Sequence, residues 1–166
     1  MRKFKYIFLF LFIQIQLSAQ NEANIWYFSE HCGLDFNSGI PVVLHDGQTT
    51  SMYGDATISD SSGNLLFYTN HFYVMNREHL IMLNGSGLFY AGVSGRAIVK
   101  VHGEDGIYYI FTSVNIGPNI GLYYSIVDLK LDNGRGAVTE KEVPVEAAWD
   151  AVDRIATVRQ EGTQNV

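Results

Sequence analysis

The side chains able to do chemistry are spread irregularly along the chain. Five histidines, His31, His45, His71, His79 and His102, include no pair at i and i+4, and none has an acidic residue at a zinc-site spacing. They read as loop and surface residues. Asp35, Asp55, Asp60 and Asp105 fall at or beside turns, where a short carboxylate caps backbone N–H groups. A calcium loop would need the denser pattern Asp-x-Asp-x-Asp-Gly, which the chain lacks. Glycoside hydrolysis would need two carboxylates facing each other across a cleft, a placement that sequence does not fix. Cys32 is the single cysteine, so no internal disulfide can form, and it reads as a small buried apolar side chain. The glycines make Asn-Gly and Gly-x-Gly turns, with neither a phosphate loop opening a helix nor a Gly-x-Ser-x-Gly elbow. These residues name no catalytic, cofactor-binding or metal-ligating set and call for no cofactor.

The elements that must position them are short strands. From Asp55 to Leu88 the chain reads as one complete β-meander. Ala56-Thr57-Ile58-Ser59 alternates apolar and polar residues, Asp60-Ser61-Ser62-Gly63-Asn64 supplies a turn, and Leu65 to Thr69 returns as an apolar, aromatic and β-branched run. Tyr73 to Met75 and Leu80 to Met82 form the next two predicted strands, with Asn76-Arg77-Glu78-His79 between them. Asn84-Gly85-Ser86-Gly87 is expected to end the unit.

The order then recurs. Arg96 to Lys100 leads through a turn at His102 to Gly106 into Ile107-Tyr108-Tyr109-Ile110-Phe111-Thr112, placing the LLFYT and YIFT-type runs 43 residues apart, Leu65 to Tyr108. A third copy starts at Ala156-Thr157-Val158-Arg159 and stops at Asn165-Val166. Upstream, Asn24-Ile25-Trp26-Tyr27-Phe28 matches Asn64-Leu65-Leu66-Phe67-Tyr68 at an offset of 40. A period of about 40 to 45 residues with four strands per unit predicts an all-β fold, an incomplete β-propeller of about three four-stranded antiparallel blades. A β-sandwich is the alternative, since it too alternates short strands with turns.

Between these copies, Asn24 to Asn37 predicts a strand, a turn around Cys32-Gly33 and a second short strand, and Val42-Val43-Leu44 predicts a third. Gly121 to Leu131 alternates cleanly and predicts an outer strand, closed by Asp132-Asn133-Gly134. Glu140 to Asp153, interrupted by Pro144, predicts a loop with one helical turn.

Residues 1–20 carry Arg2, Lys3 and Lys5, then a short apolar stretch and small residues at Ser18-Ala19. This is the pattern of a secretory signal peptide, and Gln14 and Gln16 keep the stretch short of a membrane span. Its removal takes formal net charge from -6 to -9, leaving residues 21–166 as a partial propeller domain truncated within a blade. So acidic an exported part argues against nucleic acid, which draws clustered Lys and Arg, and against membrane insertion after cleavage. Nearly half of the residues are apolar, with ten Tyr, ten Phe and sixteen Gly, an ordered β composition.

The stretches NIWYF, GLDFNSG, ATISDSSGNLLFYT, NGSGL, YYIFT and GLYYSIVDL resemble the propeller-like N-terminal region of large secreted proteins from gliding bacteria. Those proteins typically end in a gliding-motility-associated C-terminal domain used for type IX secretion. His71 stands where that family usually has glycine, and Met75 where it usually has tryptophan. The resemblance implies an extracellular or cell-surface role in adhesion, or in binding a polysaccharide or surface protein, with further blades in the same longer chain. Together the observations lead to the expectation of a secreted, non-catalytic binding module. A secreted glycan-active enzyme, with catalytic carboxylates partly beyond Val166, is the alternative.

Overall fold

A computed structural model describes residues 21–50, 54–88, 95–115, 117–118, 120–146 and 155–157. The expected signal segment, the third repeat copy from Val158 onward and most of the expected helical turn near Trp149 lie outside the described residues. The described chain is all-β. No helix among the described residues is long and apolar enough to cross a membrane.

Three strands, β1 (Ile25–Phe28), β2 (Cys32–Asp35) and β3 (Val42–Leu44), form one antiparallel sheet in that order. The meander expected from Asp55 onward forms β4 (Ala56–Ser59), β5 (Leu65–Thr69), β6 (Tyr73–Asn76) and β7 (Ile81–Ser86). A second meander follows as β8 (Arg96–Lys100), β9 (Ile107–Val114), β10 (Gly121–Asp128) and β11 (Ala137–Pro144). The two meanders join through one parallel pairing, Ala137 with Leu83, into a sheet of order β4-β5-β6-β7-β11-β10-β9-β8. Its end strands β4 and β8 come back against each other, so the eight strands nearly close.

Local chemistry sets the reversals. Between β4 and β5, the Asp60 carboxylate accepts the N–H groups of Ser62 and Asn64 at 2.8 and 2.9 Å, and Gly63 takes φ +85°, which a side chain would strain. Between β5 and β6, Asn70 Oδ1 accepts the N–H groups of Phe72 and Tyr73, both at 2.8 Å. His71 is not among the residues with positive φ, so this turn needs no glycine there.

Side-chain alternation divides the apolar residues between two cores. Phe67, Val74 and Met82 of the first meander meet Ile98, Tyr108, Ile110, Val127 and Val138 of the second. On the opposite face of the first meander, Tyr68 and Met75 pack against Tyr27, with Ile25, Leu44 and Leu65 around them. Three layers therefore stack face to face, with the first meander in the middle. Full burial of each large apolar side chain contributes about 1.5–3 kcal/mol against conformational entropy.

Four expectations are corrected. The first reversal occupies Ser29 to His31, where Ser29 and His31 adopt φ 55° and 53°. Cys32 and Gly33 belong to β2, because a Cβ on Gly33 would lie 2.7 Å from the Trp26 carbonyl and 2.9 Å from the Tyr27 ring. β7 continues through Asn84-Gly85-Ser86 instead of turning there, held by Asn84 Nδ2 donating to the Val138 carbonyl at 2.8 Å and Lys141 Nζ donating to the Ser86 carbonyl at 3.0 Å. β10 is an interior strand paired on both sides, and Glu140 to Pro144 is strand β11, not loop, because pairing with β10 overrides its charged composition. Glu142, at φ 54°, sits opposite the register shifts in that pairing.

Candidate binding groove

The near-closure of the large sheet leaves a groove of about 950 Å³ between β4 and β8. Ala56 to Ser59 form one wall and Arg96 to Lys100 the other. Trp26 to Phe28 of β1 and the β8–β9 turn from His102 to Gly106 bound the ends, and residues 155–157 also line it. Edge strands bring their unpaired backbone groups to such a gap, which makes it polar as well as apolar.

Tyr108 reaches this groove from the core, 6 % exposed. Burial pushes its phenol up to about 12, and the negative charges of Glu22, Asp105 and Asp60 push in the same direction. Glu22, Asp60 and Asp105, from separate parts of the chain, line this groove with Tyr108. Trp26 is half exposed beside them, with its ring centroid 5.1 Å from Phe36 and its Nε1–H donating to the Ala23 carbonyl at 2.7 Å. The arrangement offers hydrogen-bond acceptors and aromatic surface together, the combination that orients a polyhydroxylated or peptide ligand.

Arg96 anchors the β8 wall. Its guanidinium is buried, with Nε–H donating to Thr112 Oγ1 at 3.0 Å, Nη1 to the Asn70 carbonyl and Nη2 to the His71 carbonyl at 3.4 Å. Burial lowers its pKa to about 10, while the charges of Glu142 and Asp55 oppose that shift, so the group remains a cation at neutral pH. It fastens the second meander to the β5–β6 turn of the first. Ser59 Oγ, also on the groove wall, is buried without a hydrogen-bond partner among the described residues.

A second polar cluster lies between the β1–β3 sheet and the first meander. Tyr27 Oη donates to Asp46 Oδ1 at 2.8 Å, and the Tyr27 and Tyr68 rings stack at 4.7 Å. Gln48 N–H donates to Tyr68 Oη at 3.1 Å, and Tyr68 Oη shares a hydrogen bond with His79 Nδ1 at 3.0 Å. His79 Nε2 in turn lies 3.5 Å from Asp46 Oδ2. This Asp–His–Tyr order has the connectivity of a nucleophile relay, yet Tyr68 is fully buried and burial raises its phenol to about 12. The relay ties two sheets together instead of activating an oxygen.

The other histidines and aspartates separate. His31 Nδ1–H donates to the Gly47 carbonyl at 2.7 Å, His45 and His102 are exposed, and His71 is buried in its turn. Asp35 and Asp55 accept the N–H groups of Asn37 and Ser29, both at 2.8 Å, and Asp60 caps its hairpin. Asp105 lines the groove. Cys32 is partly buried with a free thiol. Among the described residues, no three of His, Cys, Asp and Glu gather as metal ligands. Neither the groove nor the relay has a local sequence signal, since each joins residues tens of positions apart; the one hint is the placement of Tyr27 and Tyr68 in similar strand runs.

No family model, curated protein or solved structure matches the chain.

Proposed function

We propose that this chain is a secreted, non-catalytic binding or adhesion module of the cell surface, a β-propeller sector of about three blades within a larger exported protein. Each meander is one four-stranded blade, and β1 to β3 supply three strands of another. The innermost strands β4 and β8 then flank the position of a propeller's central channel.

The observation that carries the binding reading is the groove itself, lined by Glu22, Asp60, Asp105 and Tyr108 with exposed Trp26 at its end. Its ligand is an extracellular polysaccharide or a surface protein, whose hydroxyl or amide donors meet the carboxylates. The acidic balance of the chain disfavours phosphate backbones and anionic lipid surfaces. The basic, then apolar, then small-residue order of residues 1–20 supports export.

Three carboxylates lining one groove also favour a second reading, a secreted glycan-active enzyme. The two are separated by incubating the exported protein with surface polysaccharides and proteins and analysing both retention and products. Retention without product supports the binding module. Glycan cleavage that disappears in Asp60→Asn or Asp105→Asn replaces it with the enzyme.

A further inference from the structure

We propose that the outer edge of β3, together with the uncovered face of β7 beside it, is a docking site for an extended segment of another polypeptide, which adds to the β1–β3 sheet as a fourth strand. The site is separate from the β4–β8 groove and does not depend on what the groove binds.

The first layer is one strand short. Each meander places four strands in its layer, whereas β3 has β2 on one side and no described strand on the other. The chain does not return to fill that place. After β3, residues 45–50 run back to the β1–β2 turn, where Thr49 Oγ1 donates to the Ser29 carbonyl, His31 N–H donates to the Thr49 carbonyl at 2.9 Å, and Thr50 bridges Glu30.

The phase of the backbone determines what the edge offers. Phe36 N–H donates to the Asn24 carbonyl at 2.8 Å, so Trp26 and Phe28 bond to β2, and Tyr27 turns its groups to Thr57. Carried through β2, the same alternation aims Val42 and Leu44 at β2. It leaves the N–H and C=O of Val43 pointing outward, without a partner among the described residues. Pro41 has no N–H, which limits the edge to a short contact centred on Val43. No charged residue from Ile40 to Leu44 guards it against an added strand.

The floor beside this edge is apolar. β1 lies against β4 through Thr57, while Asp46, two residues past β3, lies 3.5 Å from His79 in the β6–β7 turn. The layer therefore runs from β4 toward β7, and a strand beyond β3 lies over β7. Ile81 pairs with Met75 and so shares the face that meets Tyr27, and Leu83 follows on the same face. Yet Ile81 is 54 % and Leu83 60 % exposed, whereas Met75 is buried. The β1–β3 sheet thus covers β5 and β6 and stops short of β7.

An open strand edge beside an aliphatic shelf selects the chemistry of its occupant. Main-chain groups meet Val43, and aliphatic side chains at every second position meet Ile81 and Leu83. A glycan supplies neither the amides nor the alternation.

The test titrates the isotope-labelled full chain with a capped synthetic peptide of alternating valine and threonine, with a lysine at each end. Expected are amide shifts at Val42 to Leu44 and Ile81 to Leu83 and slowed exchange of the Val43 amide. N-methylating one alternating set of peptide amides, and not the other, should weaken binding about tenfold. Val43→Pro, which removes an outward N–H and no bond to β2, and Leu83→Lys should each weaken it comparably. A peptide that leaves these residues unshifted overturns the proposal, as does equal affinity whichever set of amides is methylated, or a Val43→Pro chain that binds as the parent does. Self-pairing of the parent chain that Val43→Pro abolishes also overturns it, since the edge then belongs to a second copy. Should either variant fail to fold by circular dichroism, the two methylated peptides on the parent chain decide.

Discussion

Thr57 Oγ1 bridges both backbone groups of Tyr27, accepting its N–H at 2.9 Å and donating to its carbonyl at 3.3 Å. One hydroxyl thereby satisfies an edge position of β1 that no neighbouring strand reaches. Asp55 does the same two residues later, accepting the Ser29 N–H at 2.8 Å. The β1–β3 sheet thus docks on β4 through side chains, leaving that part of its edge closed to strand addition.

Thr57→Val keeps the shape and removes the bridge, leaving two partly buried backbone groups unsatisfied. The expected loss is about 1–3 kcal/mol in urea unfolding, with Thr57→Ser retaining most of the parent stability. Equal stability of the parent and the valine variant would show that the bridge is not what holds the sheets together.

Alkaline pH should loosen the same region. Burial raises the phenols of Tyr68 and Tyr108 to about 12 and raises that of Tyr27 as well, with help from its hydrogen bond to Asp46. Their folded pKa values exceed the unfolded value of about 10, so their contribution is complete below about pH 10 and is lost as pH rises toward 12. Phenolate absorbance followed alongside circular dichroism should show late-titrating tyrosines whose ionisation coincides with unfolding. A single ordinary tyrosine titration finished before any structural change contradicts this.

The Asp60 hairpin predicts the opposite pH sign. Burial, the largest single contribution, raises its pKa, but hydrogen bonds from Asn64, Ser62 and Gly63 together outweigh it and hold the carboxyl below its usual range. A depressed carboxylate stabilises the fold above its unfolded pKa and loses that contribution as pH falls through the folded value. Asp60→Ala should cost about 1 kcal/mol at neutral pH. The gap between variant and parent should shrink on acidification below the usual carboxylate range. A pH-independent gap would assign the loss to packing.

Arg96 links the two meanders at their open end. Arg96→Met should destabilise by about 3–5 kcal/mol, because it removes the buried guanidinium that donates to the Asn70 and His71 carbonyls and offsets the Glu142 and Asp55 charges. Arg96→Lys keeps the charge without the planar fork and should fall between parent and Met variant in denaturant midpoint. A Met variant as stable as the parent would show that the buried cation is dispensable.

Much of the strand pattern was legible because alternation and turn chemistry are local. Ala56 to Thr69 and Gly121 to Asp128 announce themselves through period two and the residues that close them. β11 did not, since Thr139-Glu140-Lys141-Glu142 carries little apolar signal and becomes a strand by pairing with β10. The repeat spacing was also misaligned in its facing. At 43 residues Phe67 corresponds to Ile110, yet both enter the same core from opposite layers of the eight-stranded sheet. Layers that stack in one direction require Phe67 to correspond to Tyr109 or Phe111, and a slip of one residue turns every side chain over. The groove and the Tyr68–His79–Asp46 relay were illegible for another reason: the first forms only when the ends of the large sheet come together, the second only when the β1–β3 sheet docks on it.

The groove between β4 and β8 carries the functional account, and mapping amide chemical shifts during titration with the cell-surface polysaccharide tests it most directly. Shifts concentrated on residues 56–60, 96–100 and 102–106, abolished by Asp105→Ala and accompanied by an intact glycan, are the predicted result. Shifts scattered over other surfaces, or a glycan shortened during the titration, would contradict it.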